Sequence, residues 1–299
     1  MKILIWIILI IALIILLALF LRWSNKALVL TRYNYYNQKI GDGLDGLVIT
    51  QVSDLQSEYF GRGQKNIMDM VVRTCPDIIV YTGDLLDRNH TDYEAALTLM
   101  KGLKKIAPVF YINGNHEVAL PDMDTGRLYD KLREMGVHVM FDDGEVFTTK
   151  DGAALNIVGI SEETVYKGKP IYEQNSRQVS RVFDESFIND VKAKTLSKLD
   201  SAPLTVMLVH EPQYINTYDD EKVDLIFAGH AHGGQIRLPF TEGLFSPGQG
   251  FMPKYTSGIH HGSNSTMIIS RGLGNSTFPF RIFNRPEIVT VVLGKEQVN

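Results

Sequence analysis

The chain opens with an unbroken run of apolar side chains. Residues Ile3 to Leu21 are 19 consecutive apolar residues without a charge, a glycine or a proline. At 1.5 Å per residue, a helix of this length spans about 28 Å, close to the hydrocarbon thickness of a bilayer. Residues 22–26 follow as a basic and aromatic flank, whereas a secretory signal ends in a small-x-small cleavage site. The run therefore predicts an uncleaved, single-pass cell-membrane anchor over residues 1–26.

The charges beside this run bear on membrane orientation. Lys2 precedes the run, whereas Arg22, Lys26, Arg32 and Lys39 follow it. The positive-inside rule therefore favours a cytoplasmic body. Large domains translocate regardless of such charges, so the sequence leaves the membrane face open.

Beyond residue 46, short apolar runs alternate with amphipathic stretches. Their order between residues 47 and 112 is βαβαβ, which predicts a largely parallel sheet with helical crossovers. The predicted strands lie at 47–52, 78–81, 108–112, 145–149, 155–160, 204–209, 224–228, 266–270 and 288–293, and the predicted helices at 66–74, 92–105, 126–135 and around 178–199. Residues 239–265, rich in Gly, Pro and Ser, are predicted to form a long loop.

Composition adds little beyond a domain count. Residues 27–46 have β-type composition followed by glycines, and we interpret them as a juxtamembrane segment before one large domain over 47–299. The net charge of −4 argues against a nucleic-acid partner held by broad phosphate neutralisation. A single cysteine excludes an internal disulfide framework.

Five predicted strands are each followed by a polar side chain of a metal-binding type. These side chains are Asp54, Asp84, Asn115 with His116, His210, and His230 with His232. Each alone fits a turn or a helix cap, but turn chemistry does not select histidine. The carboxyl ends of parallel strands share one edge, where ligand sites collect. Carboxylate, amide and imidazole donors suit divalent metals, and this set exceeds what one metal accepts. An extended segment would turn the rings of His230 and His232 to the same side.

The segments around these residues are Gly-Asp-Leu-Leu-Asp-Arg at 83–88, Gly-Asn-His-Glu at 114–117, His210, and Gly-His-Ala-His-Gly-Gly-Gln at 229–235. Together they resemble the calcineurin-like metallophosphoesterase superfamily, roughly over residues 47–294. A later segment, 270–274, resembles its small bacterial membrane-associated branch. The resemblance implies an α/β fold: a four-layer α/β/β/α sandwich with two mixed sheets, here preceded by one transmembrane helix.

The resemblance also implies roles for single residues. It implies a first metal held by Asp54, Asp84 and His232, and a second, bridged by Asp84, held by Asn115, His210 and His230. His116 matches the residue that stabilises the transition state or protonates the leaving oxygen, and Asp87 matches the carboxylate that orients it. Among the arginines, Arg88 is the best placed to bind substrate phosphate.

One position departs from the family pattern. The family usually begins with Asp-x-His, whereas this chain has Asp54-Leu55-Gln56. An amide oxygen is a weaker donor than imidazole for zinc or iron, which favours either manganese or magnesium at the first site or a first site of lower affinity. Two alternatives stay open: His90 or water takes the place of Gln56, or the first site is empty and the protein hydrolyses nothing.

The sequence thus predicts a membrane-anchored, metal-dependent phosphoesterase. Two divalent ions, manganese first and magnesium, zinc or iron as alternatives, would activate a bridging hydroxide towards a phosphodiester, pyrophosphate or phosphomonoester. Tethering favours a membrane-associated or lipid-linked substrate. The alternative is a catalytically weak or inactive metal-binding module of the same fold that holds a ligand or partner. The oligomeric state is left open.

Overall fold

The computed structural model describes residues 2–169, 183–199, 203–238, 242–276 and 278–296. Within them the α-helices are α1 Lys2–Lys26, α2 Lys65–Thr74, α3 Tyr93–Leu103, α4 Asn115–Val118, α5 Asp122–Glu134, α6 Glu162–Gly168, α7 Ser186–Ser197 and α8 Ile215–Tyr218. The strands are β1 Val29–Asn37, β2 Val48–Val52, β3 Ile78–Thr82, β4 Val109–Ile112, β5 His138–Val139, β6 Asp143–Thr148, β7 Ala154–Gly159, β8 Thr205–Leu208, β9 Leu225–Ala228, β10 Phe245–Ser246, β11 Gly250–Phe251, β12 Gly258–His261, β13 Thr266–Ile269 and β14 Glu287–Lys295.

These strands form two six-stranded mixed sheets and one short hairpin. The first sheet has the order β1-β14-β2-β3-β4-β5, and in it β14 runs antiparallel to β2 while the other pairs are parallel. The second sheet has the order β12-β13-β9-β8-β7-β6, with antiparallel pairs at both edges and parallel pairs between them. Strands β10 and β11 pair only with each other among the described residues.

The two sheets face each other across an apolar core, and helices cover their outer faces. Ile49 and Phe110 of the first sheet pack with Leu208 and Phe227 of the second. Helices α2, α3 and α5 pack on the outside of the first sheet, and α6, α7 and α8 on the outside of the second. Burial on both faces explains why the central strands read as continuous apolar runs in the sequence. The predicted four-layer α/β/β/α sandwich with two mixed sheets is confirmed.

The predicted βαβαβ order between residues 47 and 112 corresponds to β2, α2, β3, α3 and β4. The predicted loop over 239–265 is wrong in part, because β12 lies within it as the edge strand of the second sheet. Only alternate residues of β12 are partly buried, and Gly258 with two histidines gives it no apolar pattern. The helix predicted around 178–199 is observed as α7, and residues 178–182 lie outside the described residues.

The predicted juxtamembrane segment takes part in the first sheet. Strand β1 pairs in parallel with β14 over nine residues, from Val29 with Glu287 to Asn37 with Lys295. Its side chains alternate between exposed and half-buried positions, as expected for an edge strand. The predicted domain boundary at residue 46 stays a prediction, but the segment before it is joined to the sheet.

Helix α1 is long and apolar enough to cross a membrane, judged by its length and composition. Among the described residues, only its last turns contact the rest of the chain: Ser24 is buried, and the Asn25 side chain accepts a hydrogen bond from the Arg281 amide at 2.9 Å. One turn earlier, the ring of Phe20 lies 5.2 Å from that of Phe283. The helix is therefore joined to the domain at its carboxyl end.

Candidate dimetal site

The carboxyl ends of five strands meet at one place, and they come from both sheets. Strands β2, β3 and β4 of the first sheet and β8 and β9 of the second each lead into a predicted site residue. The prediction that these residues share the edge of one sheet is wrong, because the five strands belong to two sheets. The two rims lie so close that a Cβ on Gly83 would be 2.4 Å from Nδ1 of His210, and one on Gly229 would be 2.1 Å from Oγ of Ser53.

Two groups of buried side chains at this place have the geometry of metal sites. Asp84, His210 and His230 form one group, and Asp54, Asp84 and His232 form the other. Within each group the potential ligand atoms lie within 4.8 Å of one another. Asp84 belongs to both groups, so one carboxylate lies between two potential metal positions.

Asn115 extends the first of these groups. Its Oδ1 lies 3.1 Å from Nε2 of His210. On the other side of that ring, Nδ1 of His210 donates to the Thr82 carbonyl at 2.8 Å, which leaves Nε2 directed at the site. A backbone carbonyl behind a histidine is a common way to fix the tautomer that binds a metal.

A nitrogen and an oxygen of the site lack a hydrogen-bond partner. They are Nε2 of His232 and Oε1 of Gln56, both buried and without a partner among the described residues. Buried polar atoms in folded proteins are nearly always paired, because an unpaired one loses its hydration without compensation. Nitrogen and oxygen donors of this kind are the ligands that divalent cations take. The residues present therefore fit two divalent metal ions.

The backbone is strained where the site residues lie. Asp54, Asp84, His230, His232 and Gln56 all have left-handed φ angles, between 46° and 65°. Such residues cost on the order of 1–3 kcal/mol each when they are not glycine, and they cluster at functional sites. The sequence predicted an extended segment around His230 and His232. The left-handed φ angles show that this prediction is wrong. The segment turns sharply, and its two histidines enter different groups.

Burial and the neighbouring charges shift the pKa values of the two carboxylates of the site in opposite directions. Burial raises the pKa of Asp54 to about 7. The charge of His210 acts to lower this pKa, and the negative charge of Asp84 acts to raise it. Burial also acts to raise the pKa of Asp84, but the charge of His210 outweighs it and holds that pKa below its usual range. Without a metal, protons and histidine charges balance these carboxylates. Metal binding would release such protons.

Two of the histidines are neutral and available as ligands. Burial lowers the pKa of His230 to about 4. Burial, followed by the charge of Arg281, holds the pKa of His232 well below its usual range. A metal requires the neutral imidazole, so this ring state suits coordination near neutral pH.

Gln56 lies at the site, as its place in the motif predicted. Its Nε2 donates to Oδ2 of Asp84 at 2.6 Å, and only 4% of the residue is exposed. That Gln56 binds a metal stays a prediction. His90, the alternative to it, has 88% of its side chain exposed and lies 3.8 Å from Asp87, outside both groups.

His116 faces the shared carboxylate. Its Nδ1 accepts a hydrogen bond from the Arg88 amide at 3.2 Å, which places the ring proton on Nε2. Nε2 in turn lies 4.0 Å from Oδ2 of Asp84. Asp87 lies beside Nδ1 at 3.5 Å, but the backbone amide makes the shorter contact there. The orienting role of Asp87 stays a prediction.

Two supporting residues received no role from the sequence. The carboxylate of Glu117 accepts from the amides of Gly114, Asp84 and Leu86 at 2.7–3.0 Å and so holds the loops of two strands together. The Glu in Gly-Asn-His-Glu was visible, but nothing in the sequence indicated that it binds the loop after β3.

Arg281 is the second such residue, and it is buried behind His232. Its guanidinium lies 3.3 Å from Nδ1 of His232 and donates to the carbonyls of Gly274 and Arg271. Arg281 is not solvated, because only 1% of the residue is exposed. No local pattern marks it, since its partners lie elsewhere in the chain.

A cleft of about 970 Å³ opens beside the first group. Arg88, Asn115 and His230 line it, together with Tyr166 and Lys169. The ammonium of Lys169 lies 2.7 Å from Glu211 and 2.9 Å from Glu162, and these contacts raise its pKa although burial acts to lower it. Lys169 is thus paired with carboxylates, whereas Arg88, the other basic side chain of the cleft wall, has no carboxylate partner among the described residues.

Residues 47–234 match the family model of the calcineurin-like phosphoesterases. The chain belongs to this family. The resemblance that the motifs predicted is thereby confirmed, and the protein is a metal-dependent phosphoester hydrolase with candidate positions for two divalent ions.

Relatives of this phosphoesterase occur in bacteria and in a fish. It is 29% identical over 268 residues to the uncharacterised metallophosphoesterase YkuE of Bacillus subtilis (strain 168), covering 88% of this chain and 84% of that protein. It is 25% identical over 220 residues to the phosphodiesterase YaeI of Escherichia coli (strain K12), covering 73% and 70%. A transmembrane protein with a metallophosphoesterase domain from Danio rerio is 24% identical over 265 residues, covering 86% of this chain and 55% of that protein.

Proposed function

We propose that this phosphoesterase is a membrane-anchored phosphodiesterase that works with two manganese ions. The observation that carries the proposal is the position of Asp84, whose carboxylate belongs to both groups of potential ligands. The printed name of YaeI, a phosphodiesterase, supports a diester substrate. Tethering to the bilayer favours a substrate that is itself membrane-associated.

In this proposal the ligands divide between the two metals. Asp54, Asp84, His232 and Gln56 hold one ion, and Asp84, Asn115, His210 and His230 hold the other. When bound, the two ions would supply Lewis acidity and lower the pKa of water between them. The chain's own residues would position the phosphoester: Arg88 binds its oxygens from the cleft wall, and Nε2–H of His116 donates to the phosphoryl or leaving oxygen.

The contacts of α1 support a retained anchor over a cleaved signal. Ser24 is fully buried and Asn25 bonds to Arg281, so the last turn of the helix is part of the folded domain. Arg285 donates from its side chain to the carbonyls of Ala27 and Leu28, directly after the helix. Cleavage after Asn25 would remove the contacts of Ser24 and Asn25. The Danio rerio relative, a transmembrane protein by name, is consistent with an anchor.

Hydrolysis of bis-p-nitrophenyl phosphate tests the proposed function. We expect the full chain in detergent to hydrolyse this diester with added manganese, to lose the activity on chelation, and to recover it when manganese is restored. The expected loss is the whole metal-dependent rate, because the ions would supply the nucleophile. A protein that binds manganese but hydrolyses neither this diester nor p-nitrophenyl phosphate is the inactive metal-binding module instead.

Replacement of Gln56 by histidine should change the metal preference. An imidazole at this position would restore the donor that zinc prefers, so in Gln56→His we expect zinc affinity relative to manganese to rise on the order of tenfold. Competition titration of the two metals measures the ratio. The matched control is Gln38→His, at an exposed position, which should leave the ratio unchanged. An unchanged ratio in Gln56→His would mean that residue 56 does not bind a metal.

A further inference from the structure

Four large apolar side chains are exposed on two neighbouring segments near the site. Phe251 is 81% exposed, Met252 67%, Phe283 59% and Phe280 36%. We call these four residues the apolar surface. Other exposed apolar side chains, such as Val72 of α2, Met123 of α5, Val146 of β6 and Phe187 of α7, lie on separate elements. Single exposed apolar residues are common, but a contiguous group marks a contact site.

The two segments of the apolar surface are joined by further contacts. Ile236 and Ile282 form a parallel bridge, and Arg237 donates from its amide to the Ile282 carbonyl at 3.0 Å. The ring of Phe245 lies 5.5 Å from that of Phe251 and 5.8 Å from that of Phe278. Through Phe245, these contacts link the two segments that carry the apolar surface.

One residue of the apolar surface, Phe283, lies beside the apolar span of α1. Phe283 contacts Phe20, which is four residues before the buried Ser24. At 1.5 Å per residue, Phe20 lies about 6 Å further from the domain than Ser24 along the helix axis. If α1 crosses the bilayer, Phe283 is thereby held at the depth where the apolar span ends.

Basic and aromatic side chains surround the same end of the helix. Trp23 is exposed, and the guanidinium of Arg285 lies 4.9 Å from the centre of its ring. Arg22 is exposed beside it. Tryptophan and basic residues are enriched where a membrane-spanning helix passes the headgroup layer. The residues around the apolar surface are therefore of the kinds found at a membrane surface, which favours a bilayer over another protein as its partner.

The apolar surface is also close to the catalytic cleft. Pro247 and Gly248, which line the cleft beside His230, are in the same loop as Phe251 and Met252. Phe280 precedes Arg281, whose guanidinium contacts His232. Anything that holds the apolar surface in place therefore also fixes the position of the cleft.

We propose that the apolar surface inserts into the bilayer beside the anchor and holds the cleft against the headgroup layer. The inference rests on the proposed function in taking α1 as a retained anchor. Insertion of side chains to the boundary between headgroups and acyl chains reaches about 5–10 Å into a membrane. The substrate class that this position serves is a phosphoester of a lipid in the same leaflet.

Fluorescent labelling of single cysteines tests this inference. In full-length protein with Cys75→Ser, Met252→Cys carries an environment-sensitive nitrobenzoxadiazole label, and the protein is reconstituted into phosphatidylcholine–phosphatidylglycerol vesicles. We expect a blue-shifted emission that is quenched by lipids spin-labelled near the headgroup. Phe283→Cys serves as a second labelled position. The matched control is Val146→Cys, on the edge strand β6, which should show neither the shift nor the quenching.

Flotation of the same samples distinguishes a missing membrane anchor from an apolar surface that does not insert. Protein that floats with the vesicles but is not quenched at positions 252 and 283 keeps its anchor and overturns the inserted surface. A blue shift at these positions without quenching by the lipids identifies a contact with another protein copy and also overturns it. Protein that does not float contradicts the anchor and the surface together, whereas hydrolysis of the soluble diester still reports on the catalytic proposal.

Discussion

Asp84→Asn abolishes hydrolysis of bis-p-nitrophenyl phosphate, with a fall of at least about a thousandfold in kcat/KM. The reason is that Asp84 is the carboxylate shared by both groups of potential ligands, and an amide cannot bridge two cations as a carboxylate does. We expect this variant to lose both metal ions. Steady-state kinetics and metal analysis of the purified protein measure the two effects.

Two variants make the Asp84 result specific. Asp54→Asn, whose residue belongs to one group only, should lose one ion and keep the other. Asp69→Asn, on the surface beside Lys65, should keep both ions and the full rate. A thermal melt of each variant by circular dichroism shows whether it is folded. Retention of both ions and of activity in folded Asp84→Asn would refute the shared ligand.

His116→Gln lowers kcat by about 10²–10⁴-fold while both metal ions stay bound. His116 belongs to neither ligand group, and its Nε2–H is directed at the shared carboxylate, where a phosphoryl group would lie. The magnitude is the usual contribution of a positioned proton donor. The size of the loss depends on the leaving group if His116 protonates the leaving oxygen. The fall in kcat is then smaller for a substrate that releases p-nitrophenolate, a good leaving group, than for a second substrate that releases an alkoxide.

The matched control for this change is His261→Gln, at an exposed position of β12. This variant should keep the wild-type kcat with both substrates. A folded His116→Gln protein with normal metal content and an unchanged rate would contradict the assigned role. A fall in rate together with loss of metal would assign His116 to the ligand shell instead.

The central architecture could be predicted from the sequence because its strands are buried on both faces. Strands β3, β8 and β9 are buried throughout and mainly apolar, and each is followed two residues later by a predicted site residue. The polar residues after such runs are therefore easy to find. The motifs then placed Asp84 and the histidines in one site, and the structure brings them together.

The features that sequence reasoning missed depend on contacts between distant segments. Strand β1 was interpreted as juxtamembrane because its partner β14 lies more than 250 residues later. Strand β12 has no apolar alternation, and the turn at His230 depends on a left-handed backbone that the histidines do not favour. Arg281 supports His232 across about 50 residues of chain. The hydrophobic pattern of a short stretch of sequence does not show which distant segments will contact it.

Electron paramagnetic resonance of the manganese-loaded protein tests the account's central claim most directly. Two Mn²⁺ ions that share the Asp84 carboxylate would be magnetically coupled, and such ions lie about 3.5–4 Å apart in dimetal sites. We predict a spin-coupled multiline spectrum at two manganese ions per chain, which is lost in Asp84→Asn. A six-line spectrum of isolated Mn²⁺ at full loading would contradict the account.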